Sequence, residues 1–220
     1  MTRYSTNIPE HWEISKVKYL AKINQKTLTD NTPEEYELNY LDISSVDSDG
    51  KVLHVEPMLF KNAPSRARRI VSDGDTLVST VRTYLKAITW FEKADLNLIC
   101  STGFAVLTPK KTIEPKYLSY SMRSSLYIEE IVTRSVGVSY PAITATEIGR
   151  LEYLLPPLDE QGIIIEYIDK QTLKVENLIL DVNRQIQKLK EYRQSLIYEA
   201  VTGKFDVREY DQTKQEVLHG

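Results

Sequence analysis

Three arginines stand within four positions of one another, and arginine is the side chain best suited to hold phosphate. Arg66, Arg68 and Arg69 follow Pro64 and Ser65, two residue types that are typical of a loop. A guanidinium can contact phosphate oxygens or form a fork of two hydrogen bonds with guanine. The cluster is therefore predicted to contact DNA, while a solvated loop that faces no ligand stays open as the alternative.

Two further groups combine basic, aromatic and hydroxyl side chains. One lies just beyond a predicted strand end, and the other lies in or beside a loop that contains Gly137 and Pro141. Loops held on a rigid scaffold are effective binding devices. The candidate DNA-contacting side chains are Arg82, Tyr84 and Lys86 in the first group, and Arg134, Ser139 and Tyr140 in the second. The alternatives are edge residues that cover the core for the first group and a structural connector for the second.

Catalytic patterns are incomplete in this sequence. The only Pro-Pro pair, at 156–157, lacks the Asn or Asp before it and the aromatic residue after it that an adenine methyltransferase needs. Asp95 with residues 114–116 imitates the spacing of a metal nuclease, but Pro115 would interrupt the strand that presents such a motif. The histidines are too scattered for a metal site: His11, His54 and His219. We expect a chain that has no catalytic residue, metal or cofactor of its own.

The elements that must position these candidates are short and of both types. Turns are predicted at 47–50 and 73–75 from their Asp and Gly content. Alternation and turn residues predict strands at 38–46, 51–55, 76–81, 87–91, 99–107 and 151–155, and helical segments at 12–21, 115–124, 127–134 and 144–148. Because strands and helices do not alternate regularly, the predicted fold class is α+β.

A single long helix is predicted over residues 159–200, which lack proline and, from Ile163 onward, glycine. Asp159 can cap its start, and its length would be about 63 Å. A 3–4 apolar repeat runs through five heptads, as a coiled coil requires. The predicted interface residues are Ile168, Val175, Ile179, Val182, Ile186, Leu189 and Leu196. A helix this long must bury its apolar stripe, and we expect it to do so against a helix of another chain. The alternative is that the helix folds back on the mixed α and β part of its own chain, which we call the head.

Charge is distributed unevenly along the chain. The net charge is −3, yet residues 57–134 carry a net +5 between acidic flanks. This asymmetry permits one positive face on a nearly neutral protein. No apolar run reaches the roughly 20 residues that span a bilayer, and residues 1–10 are too polar for a signal region. The lone Cys100 fits a small buried apolar residue and a reducing compartment, so we expect a cytoplasmic protein without membrane contact.

The order of several segments resembles the specificity subunit of type I restriction–modification systems. The chain is similar to that family over about 1–206, nearly its whole length. Single motifs are weak, and their number and order make the match specific. The segments that carry the resemblance are IPEHWE at 8–13 with KYLA at 18–21, GDTLVSTVR at 74–82 with YLKA at 84–87, STGFAVL at 101–107, RSVGVSYPAI at 134–143, LPPLDEQ at 155–161 and LIYEAVTGK at 196–204.

The resemblance implies a division of the chain into a DNA target-recognition domain at 1–157, a spacer helix at 158–203 and a polar tail at 204–220. It also implies partners: double-stranded DNA, methyltransferase subunits that use S-adenosylmethionine, and a restriction subunit that uses ATP and Mg. Tyr192, Arg193 and Tyr198 are expected to contribute to those contacts. The family's usual subunit has two recognition domains, whereas this chain has one. A natural half and a truncated subunit both stay open. A half is expected to form a homodimer, and the alternative is that it supplies a missing half to another subunit. The alternative functions are a coiled-coil adaptor that does not bind DNA and an enzyme with an unrecognised site.

Overall fold

The computed structural model describes residues 8–204. Its described part divides after Glu166 into two compact units, one with the mixed elements and the first turns of the last helix, the other with the rest of that helix. The strands are β1 (Glu13–Lys16), β2 (Ala21–Ile23), β3 (Glu37–Leu41), β4 (Glu56–Leu59), β5 (Ala67–Ile70), β6 (Thr76–Ser79), β7 (Ile88–Trp90), β8 (Leu98–Ser101), β9 (Phe104–Pro109) and β10 (Glu152–Leu155). The helices are α1 (Val17–Leu20), α2 (Pro115–Arg123), α3 (Ser125–Arg134), α4 (Ala145–Arg150) and α5 (Leu158–Val201).

These short strands form two four-stranded sheets and one separate pair. The central sheet has the order β2-β9-β6-β7 and is antiparallel throughout. The outer sheet has the order β4-β3-β8-β5, in which β3 and β8 are parallel. The remaining pair joins β1 to β10, so the two ends of the first unit are hydrogen-bonded together. The predicted α+β class is confirmed.

The central sheet is buried on both faces. Neighbouring residues of a strand point to opposite faces, and both members of such pairs pack in a hydrophobic cluster here. Leu77 and Val106 pack with the outer sheet in one hydrophobic cluster. Their neighbours Val78 and Leu107 pack in another cluster, which includes residues of α1, α2, α3 and α4. Cys100 lies in the cluster between the sheets, fully buried, and burial raises the pKa of its thiol. Its predicted role as a small buried residue is confirmed.

The predicted helix over 12–21 is wrong. The structure has β1, the single turn α1 and then β2 in that segment. Val17 and Leu20 are buried three positions apart, which satisfies only one helical turn. β1 instead pairs with β10, a partner at the far end of the first unit that no local pattern could indicate.

The strand predicted over 38–46 ends at Leu41. Asp42 stops it, because its carboxylate accepts a hydrogen bond from the Ser44 backbone N–H at 3.2 Å and begins a 3-10 turn. The turn at 47–50 is present, with Gly50 at a φ of 77°. The return strand predicted at 51–55 is wrong, since only Val52 makes a bridge there and β3 pairs with β4 instead.

The strand predicted over 99–107 is two strands. A turn at Thr102 and Gly103 separates β8 in the outer sheet from β9 in the central sheet. Gly103 packs closely against Ile43 at this turn, because an added Cβ would lie 2.3 Å from Ile43 Cδ1 and the isoleucine side chain would have to move. The long helix predicted over 159–200 is confirmed as α5, which begins one residue earlier and ends one residue later. None of the helices within residues 8–204 is long and apolar enough to cross a membrane.

Candidate nucleic-acid interface

The ends of strands from both sheets meet at one cleft. Asp42 and Ser44 follow β3, Arg66 precedes β5, Arg82 follows β6, and the turn at 102–103 joins β8 to β9. Tyr140, from the loop after α3, completes the wall of a cleft of about 530 Å³. The structure thus brings three of the sequence-predicted residues together: Arg66, Arg82 and Tyr140.

Arg66 is held in place without losing its access to solvent. Its Nε donates a hydrogen bond to the Tyr40 hydroxyl at 3.1 Å, and its Nη2 lies 2.8 Å from Asp42 Oδ2. The Tyr40 hydroxyl in turn donates to the same carboxylate at 2.8 Å. The Arg66 side chain nevertheless remains 59% exposed. A guanidinium fixed on one side and open on the other is suited to hold an anion or a base edge.

Asp42 is the acid that positions Arg66. Burial opposes the ionisation of this carboxyl, but hydrogen bonds from Tyr40 and Ser44 and the charge of Arg66 outweigh burial and lower the pKa of Asp42. The hydrogen bond to Tyr40 and the charge of Asp42 together raise the pKa of Arg66. The pair is therefore ionised at neutral pH, and the guanidinium is the more exposed partner.

Arg82 occupies a strained backbone position at the end of β6. Its φ of 50° and ψ of 47° are left-handed, a conformation that residues other than glycine adopt at a cost of about 1–2 kcal/mol. Its guanidinium lies 4.7 Å from the centroid of the Tyr140 ring. Arg82 makes no ion pair within residues 8–204, so its charge is not neutralised by a nearby carboxylate there. Strain of this kind is found at binding sites, where the surrounding structure maintains it.

The loop after α3 is tied to β6 at its base. Val136 and Ala142 exchange two backbone hydrogen bonds, of 2.9 and 3.0 Å. Arg82 donates its backbone N–H to the Pro141 carbonyl at 2.8 Å, and the hydroxyls of Thr83 and Ser135 lie 2.7 Å apart. These contacts fix the loop over 135–142 beside the cleft.

The other arginines of the first cluster face elsewhere. Arg68 lies over the Phe60 ring, 4.9 Å from its centroid, and forms an ion pair with Asp30 at 3.5 Å. Arg69 is a β5 residue that pairs with Cys100, and its buried Nε has no hydrogen-bond partner within the described chain. Only Arg66 of the three lines the cleft, so adjacency in the sequence did not place the three arginines on one surface.

The remaining predicted residues lie around the cleft rather than in it. Arg134 is engaged by Glu130, with its Nη2 2.5 Å from the carboxylate, and by Glu147 at 3.8 Å. Tyr84 and Lys86 line a second hollow with Arg123, on the other side of the turn at 83–85. Ser139 is exposed beside Tyr140. Sequence reasoning missed Asp42, Ser44 and Thr102, and only the Asp-x-Ser pattern of the first two offered a local signal.

The predicted interface residues on α5 carry exposed side chains from Val175 to Leu196. Ile168 is half-buried. Tyr192, Arg193 and Tyr198 are also exposed. Apolar residues at heptad spacing that remain open on a helix favour contact with another helix.

The positions considered for catalysis are not assembled. Within residues 8–204, no group of three His, Cys, Asp or Glu side chains could hold a metal ion. The Glu114-Pro115-Lys116 segment begins helix α2 instead of lying on a strand. His11 lies 2.9 Å from Glu160, while His219 and most of the polar tail at 204–220 lie outside the described residues.

Comparison with known proteins gives a consistent result. The family model described as "Type I restriction modification DNA specificity domain" matches residues 9–188. The chain is 33% identical over 107 residues to the EcoKI specificity subunit of Escherichia coli (strain K12), an alignment that covers 48% of this chain and 23% of that protein. It is 26% identical over 220 residues to the putative MjaX specificity subunit of Methanocaldococcus jannaschii, covering 94% of this chain and 49% of that protein.

Solved structures agree with these relatives. The HsdS subunit from Thermoanaerobacter tengcongensis superposes with a TM-score of 0.71 at 28% identity, covering 81% of this chain and 46% of that one. A chain from a study of complex assembly in the type I R-M system gives a TM-score of 0.75 at 27% identity, covering 92% and 51%. The matches span about half or less of each relative.

Proposed function

The chain belongs to the type I restriction–modification DNA specificity family, and from this premise we propose that its one recognition domain reads one half-site of duplex DNA. The observation that carries the proposal is the cleft at which Arg66 and Arg82 meet. Two exposed cations from separate segments, each held by a neighbouring side chain, match what phosphate anchoring and base recognition require.

The proposed division of labour leaves chemistry to partner subunits. The relatives of this chain are specificity subunits. We propose that methyltransferase subunits that use S-adenosylmethionine dock on α5, with a restriction subunit that uses ATP and Mg as a further partner. Tyr192, Arg193 and Tyr198 are exposed on α5 and available for such docking.

The proposed second copy follows from the seam of α5. Val175, Ile179, Val182 and Ile186 form an apolar stripe that stays in contact with water unless another helix covers it. A second copy would supply an identical stripe and a second head. Two identical heads related by a two-fold axis would read an interrupted palindrome.

The test of DNA binding is a titration of the full chain with a fluorescent duplex of about 30 base pairs at 50 to 200 mM salt. Phosphate contacts make the logarithm of the binding constant fall linearly with the logarithm of salt concentration, by about 0.9 for each phosphate neutralised. The double variant R66A/R82A should reduce that slope by about 0.9 for each of the two arginines that contacts phosphate, and a base contact should appear instead as lost affinity for the selected sequence. Absence of salt-sensitive binding to any duplex would leave the coiled-coil adaptor as the better function.

The test of self-association is the solution mass by light scattering over a concentration series. A mass near twice 25.4 kDa supports paired α5 helices. A strict monomer at every concentration would remove the homodimer and the palindromic site from the proposal, while DNA binding by one head would stand on the titration alone.

A further inference from the structure

The loop over 135–142 carries a fully exposed apolar side chain at its tip. Val138 has a relative exposure of 101%, and Val136 in the same loop is 80% exposed. Neither valine is covered by another part of the described chain. Contact between these apolar side chains and water is unfavourable, and their position at the tip of a loop adds no stability to the fold. The tip is therefore better suited to a partner surface than to the fold.

The base of this loop is rigid, which matters for what its tip can do. Ala142 bridges both Val136 and Val81, and the Ile143 backbone N–H donates to the Thr80 carbonyl at 2.8 Å. Gly137 permits the sharp turn, since its φ is 118° and an added Cβ would lie 3.0 Å from the Tyr140 carbonyl oxygen. The tip is thus presented from a fixed platform and loses little entropy on binding.

The charges beside the loop indicate the kind of partner. Tyr140 connects the loop to Arg82 through the ring contact of 4.7 Å, and Arg66 lines the same cleft. An apolar tip beside two exposed cations matches a surface that combines phosphates with apolar groups. In duplex DNA, the apolar group exposed at base-pair edges is the C5-methyl group of thymine in the major groove.

We propose that Val138 is a specificity-determining residue that contacts a thymine methyl group, while Arg82 and Arg66 hold the flanking backbone or bases. This inference rests on the proposed function, and it adds which base feature the loop reads. Insertion between stacked bases is the other apolar mode, but it acts from the minor groove and uses Phe, Leu, Ile, Met or Pro rather than valine. Valine has a short branched side chain, which suits methyl contact.

The experiment has two stages and uses the full chain. First, wild type, V138S and the control L96S each select binding sites from a pool of randomised duplexes. Leu96 is another exposed apolar loop residue, at 85%, and it lies outside the cleft. Second, each thymine of the wild-type motif is replaced in turn by deoxyuridine, which lacks only the methyl group, and affinities are measured for wild type, V138S and V138T.

The expected result is one thymine per half-site at which deoxyuridine weakens wild-type binding by about fourfold, the factor for one buried methyl group. V138S should be insensitive to that replacement, whereas V138T, which keeps a methyl group, and L96S should remain sensitive. A shared loss at every position in wild type and V138S, or a motif that contains no thymine, would overturn the inference and leave DNA recognition intact. If wild type selects no motif at all, the proposed function fails and the inference fails with it.

Discussion

Replacement of Arg66 by alanine should weaken DNA binding far more than it weakens the fold. The Arg66 side chain is 59% exposed, and it pairs with Asp42 at 2.8 Å and with the Tyr40 hydroxyl at 3.1 Å. Exposed ion pairs contribute about 0–1 kcal/mol to stability, and Asp42 keeps its hydrogen bonds from Tyr40 and Ser44 after the change. We therefore expect the free energy of unfolding to fall by less than about 1 kcal/mol.

The expected effect on DNA binding is larger, because the variant removes a cation from the cleft and leaves a carboxylate there. Loss of a bidentate pair of hydrogen bonds to guanine costs about 1–3 kcal/mol, or about 5- to 150-fold in affinity. Loss of a phosphate contact instead lowers the salt slope by about 0.9 and weakens binding to all sequences alike. The uncovered charge of Asp42 adds repulsion in either case.

The assay compares R66A with R150A in the same duplex titration and in urea unfolding. Arg150 is a matched control, since its side chain is also 59% exposed and forms an ion pair with Glu147, but it lies on α4 outside the cleft. R150A should bind DNA within about twofold of wild type and lose a similar small amount of stability. Equal loss of DNA affinity in the two variants would refute the assignment of the cleft, because binding would then depend on overall charge.

Three further predictions test the fold, the buried charge and the seam. Gln161 is fully buried, where it accepts from the Glu114 backbone N–H at 2.8 Å and donates to the Pro156 carbonyl at 2.9 Å. Q161M should therefore lower the free energy of unfolding in urea by about 2–4 kcal/mol, against less than about 0.5 kcal/mol for Q194M, a control at an exposed α5 residue. Burial raises the pKa of Asp75, so ionisation of this carboxyl opposes folding of the wild type. The free energy of unfolding of D75N relative to that of the wild type should therefore rise as the pH increases from below 3.8 toward neutrality. A difference that does not change with pH would contradict this. V182D places a charge in the apolar stripe of α5 and should halve the mass measured by light scattering, whereas R184D, outside that stripe, should leave the mass unchanged. Equal masses for the two variants would mean that self-association does not use the stripe.

The longer helices are the part of the fold that the sequence predicts best. α5, α2 and α3 depend on spacing within a few turns, on Pro115 in a first turn, and on the absence of breakers after Ile163. The segment at 12–21 is not the predicted helix, because β1 and β2 pair with β10 and β9, which lie far away in the chain. Strand preference depends on such partners more than on the residues themselves.

The candidate site could be predicted only in part for the same reason. Arg66, Arg82 and Tyr140 were identified by residue type and loop context, yet nothing local indicated that they share a cleft. Arg68 and Arg134 have the same residue type, but Phe60 and Glu130 engage them. Which arginine stays open is decided by neighbours that folding brings together, and those neighbours come from separate strands of two sheets.

The most direct test of the account is a specificity ratio. The full chain is titrated at 150 mM salt with its selected duplex and with a shuffled duplex of the same length and composition. A specific reader should bind the selected duplex about 1,000-fold or more tightly, because base contacts add to a phosphate contribution common to both. A ratio near one, with both affinities falling alike as salt rises, would mean that the head binds phosphate without reading sequence, and the central claim would be contradicted.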